Sequence, residues 1–173
     1  NACNAAYLSI CSKENFNKTK PIIEIKIKEP YTKEEFRDKL NQLLKPNGGV
    51  HVDKNYIVIN CDNKIRLIGN ENIDLDFGFI ITNGTYIELE NLTIDGNQFK
   101  QQAKEGLIIK GKNTLCKIRN CIIMNCETGC FCNKGGRAFL NSCIIKNNEV
   151  GVKAMNTSIK NPIDITDKFN ARV

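Results

Sequence analysis

The stretch Leu115-Cys116-Lys117-Ile118-Arg119-Asn120-Cys121-Ile122-Ile123 lies over Arg137-Ala138-Phe139-Leu140-Asn141-Ser142-Cys143-Ile144-Ile145 at an offset of 22 residues. The match runs on through Gly129-Cys130-Phe131-Cys132 over Gly151-Val152-Lys153-Ala154. One unit earlier, Tyr86-Ile87-Glu88-Leu89-Glu90-Asn91-Leu92-Thr93-Ile94 fits at an offset of 29, which is 22 plus a seven-residue insertion between Gln98 and Lys104. Gly106-Leu107-Ile108-Ile109 then falls back into step, and Gly78-Phe79-Ile80-Ile81 is the equivalent piece one unit before. A recurring offset of this size marks a stacked repeat, in which each unit buries its apolar face against its neighbours.

The columns of the repeat carry the argument for strands. Ile87, Cys116 and Ala138 form one column; Leu89, Ile118 and Leu140 the next; Leu92, Cys121 and Cys143, then Ile94, Ile123 and Ile145, follow. Two more hold Leu107, Cys130 and Val152, and Ile109, Cys132 and Ala154. Small and medium apolar residues at period two are what a strand with one buried face requires. A glycine column, Gly78, Gly106, Gly129 and Gly151, precedes the third strand of each unit, where the chain is expected to turn sharply or take a positive φ. Upstream, Ile22 to Ile27 alternates as a strand and Pro30 ends it. Thr32 with Glu35 reads as a capping box, and Phe36, Leu40, Leu43 and Leu44 form one stripe of a short helix that Pro46 and Gly48-Gly49 close.

These features place coils of three short parallel strands one on another. The sequence resembles the right-handed parallel β-helix, or pectin-lyase-like, superfamily, over roughly Thr32 to Thr157: a capping helix, then Gly48-Gly49-Val50-His51-Val52 opening the first coil, then the coils that include Leu92-Thr93-Ile94-Asp95-Gly96-Asn97. The resemblance implies an all-β solenoid of about five short coils with an N-terminal amphipathic capping helix. The chain divides into an N-terminal arm and strand (1–31), the capping helix plus β-helix (32–157), and a C-terminal tail or incomplete cap (158–173). Function is not implied by the fold, which carries lyases, hydrolases and non-catalytic modules alike.

Composition agrees with a single folded domain: 173 residues, 41% apolar, 25% charged. The net charge of +6 is spread along the chain without a dense basic block, so nucleic acid is not implied. No run of about 18 apolar residues is present, so no membrane span is expected. The chain opens on Asn1 rather than Met, as a mature form or an excised fragment does. Heavy use of Asn, Lys and Ile reads as coding bias, which weakens the glycosylation-type tripeptides at Asn17, Asn83, Asn91 and Asn156.

Outward positions of the first strand pair Glu88 with Lys117 and Glu90 with Arg119 across neighbouring coils, as surface ion pairs contributing about 0–1 kcal/mol each. The pectate-lyase resemblance implies the alternative use of such residues: carboxylates holding Ca²⁺ and an Arg taking a proton from a uronic acid, with Asp95 and Arg119 as the catalytic candidates. Met124 and Lys146 stack on Asp95, so that column holds no carboxylate cluster. Asp74 and Asp76 on an outer strand face, together with Asp95, are the candidates for a carbohydrate or cation site. His51, the only histidine, reads as surface.

Of nine cysteines, Cys116, Cys121, Cys130 and Cys132 occupy inward slots of one coil. Their columns are otherwise largely aliphatic, so they read as a reduced, packed thiol core. A zinc tetrad and buried disulfides stay open as alternatives, with Cys121 over Cys143 the pair within bridging reach. Cys3 with Cys11 is a separate candidate disulfide. Cys126 falls in a turn column with Asn97 and Asn148 and is expected to be the accessible thiol.

Ile122, Met124, Ile144 and Phe131 point outward and are interface candidates for other protein chains or for the remainder of this chain. The tail offers only a weak strand, Ile163-Asp164-Ile165, to cap the last coil, which also points to a longer protein or an assembly. The expected function is therefore a non-catalytic β-helix module, a structural, attachment or glycan-binding element of a virion or cell-surface assembly, extracellular or virion-associated and without a resident cofactor. The alternative is a polysaccharide lyase or glycoside hydrolase, with Ca²⁺ under the lyase version.

Overall fold

A computed structural model describes residues 21–44, 49–71 and 73–155. The first strand, β1 (Ile22–Lys26), is followed by the helix α1 (Lys33–Leu43) and by β2 (Val50–Asp53) and β3 (Tyr56–Ile59). Four coils of three strands come next: β4 (Lys64–Ile68), β5 (Asp74–Leu75) and β6 (Gly78–Thr82); β7 (Tyr86–Glu90), β8 (Thr93–Asp95) and β9 (Glu105–Lys110); β10 (Leu115–Arg119), β11 (Ile122–Met124) and β12 (Thr128–Asn133); β13 (Arg137–Asn141), β14 (Ile144–Lys146) and β15 (Val150–Met155).

Like strands stack into three sheets. The first runs β1-β4-β7-β10-β13, the second β5-β8-β11-β14, and the third β3-β6-β9-β12-β15, all parallel. The register is the one the repeat requires: Cys116 pairs with Ala138 and Ile87, Ile123 with Ile145 and Ile94, and Cys130 with Val152 and Leu107. The fold is a parallel β-helix of about five coils, the first of them built from β1, α1 and β3.

The N-terminal end differs from the expectation that Val50 opens a coil. Strand β2 runs antiparallel to β3 as a hairpin at the edge of the third sheet, with Lys54 at φ 52° in its turn. Part of its other edge is closed by a side chain of α1: Asn41 accepts from the Val50 N–H at 3.1 Å and donates to the Val50 carbonyl at 2.7 Å, so no further strand is needed at that point. Thr32 and Glu35 form the capping box, with the Glu35 N–H donating to Thr32 Oγ1 at 3.1 Å and the Thr32 N–H to Glu35 Oε2 at 3.3 Å. Such a cap stabilises a helix by about 1 kcal/mol. Phe36 and Leu40 seal the core, Phe36 packing on the rings of Phe77 and Phe79 at 5.5 and 6.2 Å.

The glycine column does not take positive φ. Gly78, Gly106 and Gly129 sit where an added Cβ would lie 2.2, 3.0 and 2.7 Å from the carbonyl oxygen of the next glycine in the column. Close approach of successive coils is the reason for glycine there. Left-handed backbone falls instead on other glycines (Gly49, Gly84, Gly111 and Gly135) and, among residues with a side chain, on Lys54, Lys134 and Ser142 and mostly on asparagines: Asn83, Asn91, Asn113, Asn120, Asn125 and Asn147. Asparagine tolerates this region better than other residues with a side chain, so part of the asparagine content serves the coil corners rather than coding bias alone.

Seven cysteines fall among the described residues, and all are buried free thiols. Cys126 is 4% exposed, which corrects its assignment as the accessible thiol; its amide is held by Asn148 Oδ1 at 2.9 Å. Cys121 and Cys143, the bridging candidates, stay unbridged and donate to the carbonyls of Arg119 at 3.3 Å and Ile118 at 3.4 Å. Among the described residues no three Cys, His, Asp or Glu side chains converge on a metal position, so the four inward thiols form no zinc tetrad. Cys3 and Cys11 lie outside the described residues, as does the tail.

Burial pushes the Cys121 thiol up to about 12 and Cys126 up to about 11, and it raises Cys61, Cys116 and Cys143 as well. A hydrogen bond with Cys132, then burial, raises Cys130. The unfolded chain ionises its thiols from about pH 8.5 while these stay protonated in the fold. Unfolding then releases protons, so stability is full below that pH and falls as pH rises beyond it. Brief iodoacetamide exposure at pH 8 followed by peptide mapping is expected to leave all seven described cysteines, which are buried, unmodified in the native protein and modified in urea. Rapid native labelling of Cys126 would contradict its burial.

Candidate functional site

The outer face of the first sheet carries a column of alternating charge, Glu24, Arg66, Glu88 and Lys117, in direct register. Arg66 lies between two acids, its Nε donating to Glu88 at 2.6 Å and its Nη1 to Glu24 at 3.4 Å. Glu88 is thus bonded to Arg66 and to the Tyr86 hydroxyl at 2.8 Å, while the Lys117 ammonium stands over the Tyr86 ring at 5.7 Å. The second expected pair forms as such, Arg119 donating to Glu90 at 2.8 Å.

Burial would raise the Glu88 carboxyl, but hydrogen bonds from Tyr86 and Arg66 and the charges of Arg66 and Lys117 outweigh it, and the net shift is downward. A depressed carboxyl stabilises the fold above the ordinary carboxylate range and loses that contribution as pH falls through its folded value. Glu88→Gln is therefore expected to lower stability at pH 7 and to flatten the loss of stability on acidification. Melting curves between pH 3 and 7 test this, and parallel profiles for the two proteins would refute it.

Asp95 and Arg119 are not brought together: Asp95 ends β8 in the second sheet, and Arg119 ends β10 in the first. Asp95 is 6% exposed and its Oδ1 is engaged, accepting the Asn97 N–H at 3.0 Å and Asn125 Nδ2 at 2.8 Å. It caps the 3-10 turn Gly96–Gln98 and ties that turn to the next coil. Asp74 lies exposed on β5 opposite Thr93, and Asp76 half-exposed just beyond β5. These carboxylates do not join in a group of three acids among the described residues. Met124 and Lys146 stack on Asp95 as the repeat indicated. His51 is exposed on β2, opposite Val58.

The outward apolar residues do align. Thr93, Ile122 and Ile144 form one column of the second sheet, and exposure grows along it to 47% at Ile144, with half-buried Met124 on the same face. On the third sheet Val58, Ile80, Ile108 and Phe131 make a second column, of which Val58 and Ile80 are buried and Ile108 and Phe131 half-buried; it ends at Lys153, whose ammonium stands over the Phe131 ring at 5.7 Å.

The seven-residue insertion builds a feature that column reading could not supply. After the 3-10 turn the loop folds back toward the N-terminal end and is pinned there. The Asn55 side chain donates to the Gln101 carbonyl and accepts from the Gln101 N–H, both at 3.2 Å. Phe99 packs edge-on against Tyr56 at 6.5 Å, and the Tyr56 hydroxyl donates to the Glu105 carbonyl at 2.7 Å. Burial pushes the Tyr56 hydroxyl up to about 12, so it stays a donor at neutral pH. Between this loop and the turns of the next two coils runs an open, mostly polar cleft of about 550 Å³. The only sequence signal for it is the length mismatch, 29 against 22.

Three parallel sheets wound from a short repeat and closed by a helix define a β-helix protein. The chain belongs to the family described as the right handed beta helix region, whose family model matches residues 43–165. Neither a comparison with curated proteins nor one with solved structures finds a significant match. Among the described residues, no helix is long and apolar enough to cross a membrane.

Proposed function

We propose that this chain is a non-catalytic β-helix module, a structural, attachment or glycan-binding element of a larger assembly at a virion or cell surface. The observation that carries this reading is the outward apolar group Ile122, Met124 and Ile144 on the second sheet, with Ile144 47% exposed, together with half-buried Ile108 and Phe131 on the third. A solenoid face that needs only water would carry polar side chains at those positions, and contiguous outward apolar residues mark contact surfaces. The residues nominated for catalysis support the same reading, because Asp95, on the second sheet, holds two coil corners together, while Arg119 pairs with Glu90 within the first sheet.

Mass photometry of the full chain, together with a glycan array, tests the proposal. Self-association weakened by Ile144→Asp, or saturable glycan binding, is the expected result. A compact monomer that binds no glycan would overturn it, as would a Ca²⁺-dependent rise in ultraviolet absorbance on a uronate polymer that Asp95→Ala abolishes.

A further inference from the structure

The floor of the cleft beside the insertion is itself repeated. Asn125 and Glu127 in one coil are followed by Asn147 and Glu149 in the next, at the 22-residue offset. Asn125 and Asn147 both take left-handed backbone, at φ 60° and 56°, so the two corners share one shape. Equivalent groups on neighbouring rungs stand about 4.8 Å apart along the axis. That is close to the advance of one sugar unit in an extended hexose chain, so two consecutive units would meet the same amide and carboxylate in turn.

The chemistry of the lining narrows the ligand further. Glu127, Asn147 and Glu149 are exposed, and Asn125 is half-buried, with its Nδ2 committed to Asp95 and no protein partner for its Oδ1 among the described residues. The insertion adds exposed Asn97 and Lys100 on the opposite wall. Carboxylates accept from hydroxyls, and amides both donate and accept, so the cleft is matched to a ligand dense in hydroxyl groups. Two acids against one cation disfavour a polyanion. The cleft size lies within the usual range for small-ligand sites, about 300–1,000 Å³. Its shape is preformed, because Asn55 and Tyr56 pin the loop and Asp95 ties it to the floor, which reduces the ordering cost of binding.

From this arrangement we propose that the cleft between the loop 96–104 and the two Asn-x-Glu corners holds a linear neutral oligosaccharide lying along the solenoid axis. This rests on the reading of the chain as a glycan-binding module and gives that reading a place and a ligand class.

The test is a backbone-amide NMR titration of the full chain with neutral hexose and N-acetylhexosamine tri- to pentasaccharides, with oligogalacturonate as the acidic comparison. Saturable shifts are expected at Asn97, Lys100, Asn125, Glu127, Asn147 and Glu149 with a neutral probe, and weaker or no shifts with oligogalacturonate. The double variant Glu127→Ala/Glu149→Ala removes only exposed side chains. It is expected to keep the wild-type circular dichroism spectrum and to weaken binding at least tenfold. Shifts that map elsewhere, equal or stronger binding of oligogalacturonate, or unchanged affinity in the double variant would overturn the cleft assignment while leaving the module reading intact. The absence of saturable shifts with every neutral probe would overturn it as well, and the module reading would then stand or fall on self-association alone.

Discussion

Gly78→Ala is expected to destabilise the protein by about 3 kcal/mol, the upper end of ordinary overpacking costs. A Cβ built on Gly78 lies 2.2 Å from the Gly106 carbonyl oxygen and 3.1 Å from two carbons of the Tyr56 ring. The carbonyl belongs to the next coil and cannot retreat without shifting the stack, since Gly78 is itself tied back by a 2.9 Å bond from its N–H to the Asn55 carbonyl. For a chain of this size the cost corresponds to a fall in Tm of roughly 6–12 °C. Gly84→Ala supplies the contrast. That glycine has nothing within 4 Å of its Cβ position but sits at φ 81°, so the substitution costs backbone strain alone, about 1–2 kcal/mol. Replacing Gly84 with Asn should cost less than Ala, because asparagine tolerates that region, whereas at Gly78 Asn should be at least as harmful as Ala. Thermal unfolding followed by circular dichroism separates the two mechanisms. If Asn were the milder replacement at both sites, close packing of the coils would not be the reason for the glycine column.

That contrast also marks the limit of the sequence reading. Glycine at a fixed place in each repeat signals a backbone constraint, but not which one. Sterics against the neighbouring coil and a demand for positive φ leave the same letter, and only the carbonyl of Gly106 distinguishes them. The columns of the ladder were legible because inward residues such as Ile118 and Leu140 obey a period that a single offset exposes. Partners across a column were less legible. Glu88 has a cation on either side, Arg66 and Lys117, and the bond goes to Arg66, on a first strand that the matched repeat stretches do not include. The candidate site was hardest to see, because a cleft made by an insertion departs from the repeat. Asn55 and Gln101 meet across 46 residues, and no periodic argument links them. Cys126 illustrates the same gap: a turn position suggested exposure, while the insertion places Ala103 close by, with the Glu127 N–H donating to the Ala103 carbonyl at 3.3 Å.

Phe36→Ala is expected to cost about 3–5 kcal/mol, and to spend that cost unevenly along the molecule. Phe36 is 1% exposed and closes the first coil by packing on Phe77, Phe79 and Tyr31, so truncation leaves a cavity at the end of the core rather than in its middle. A solenoid is held mainly by contacts between neighbouring coils, so damage at one end should propagate only as far as the interfaces it weakens. The capping helix carries much of its worth through this one ring, since the hydrogen bonds of Thr32 and Asn41 supply at most a few kcal/mol. Hydrogen exchange of the variant should therefore show lost protection in α1, β1, β2 and β3, a smaller loss in β4 and β6, and near-native protection in β10 to β15. Uniform loss through β13–β15 would show instead that the coils unfold as one cooperative unit, with the helix setting the stability of the whole stack. In that case substitutions in the Ile122–Ile144 column and in the cleft would have to be judged against global unfolding as well as local contact.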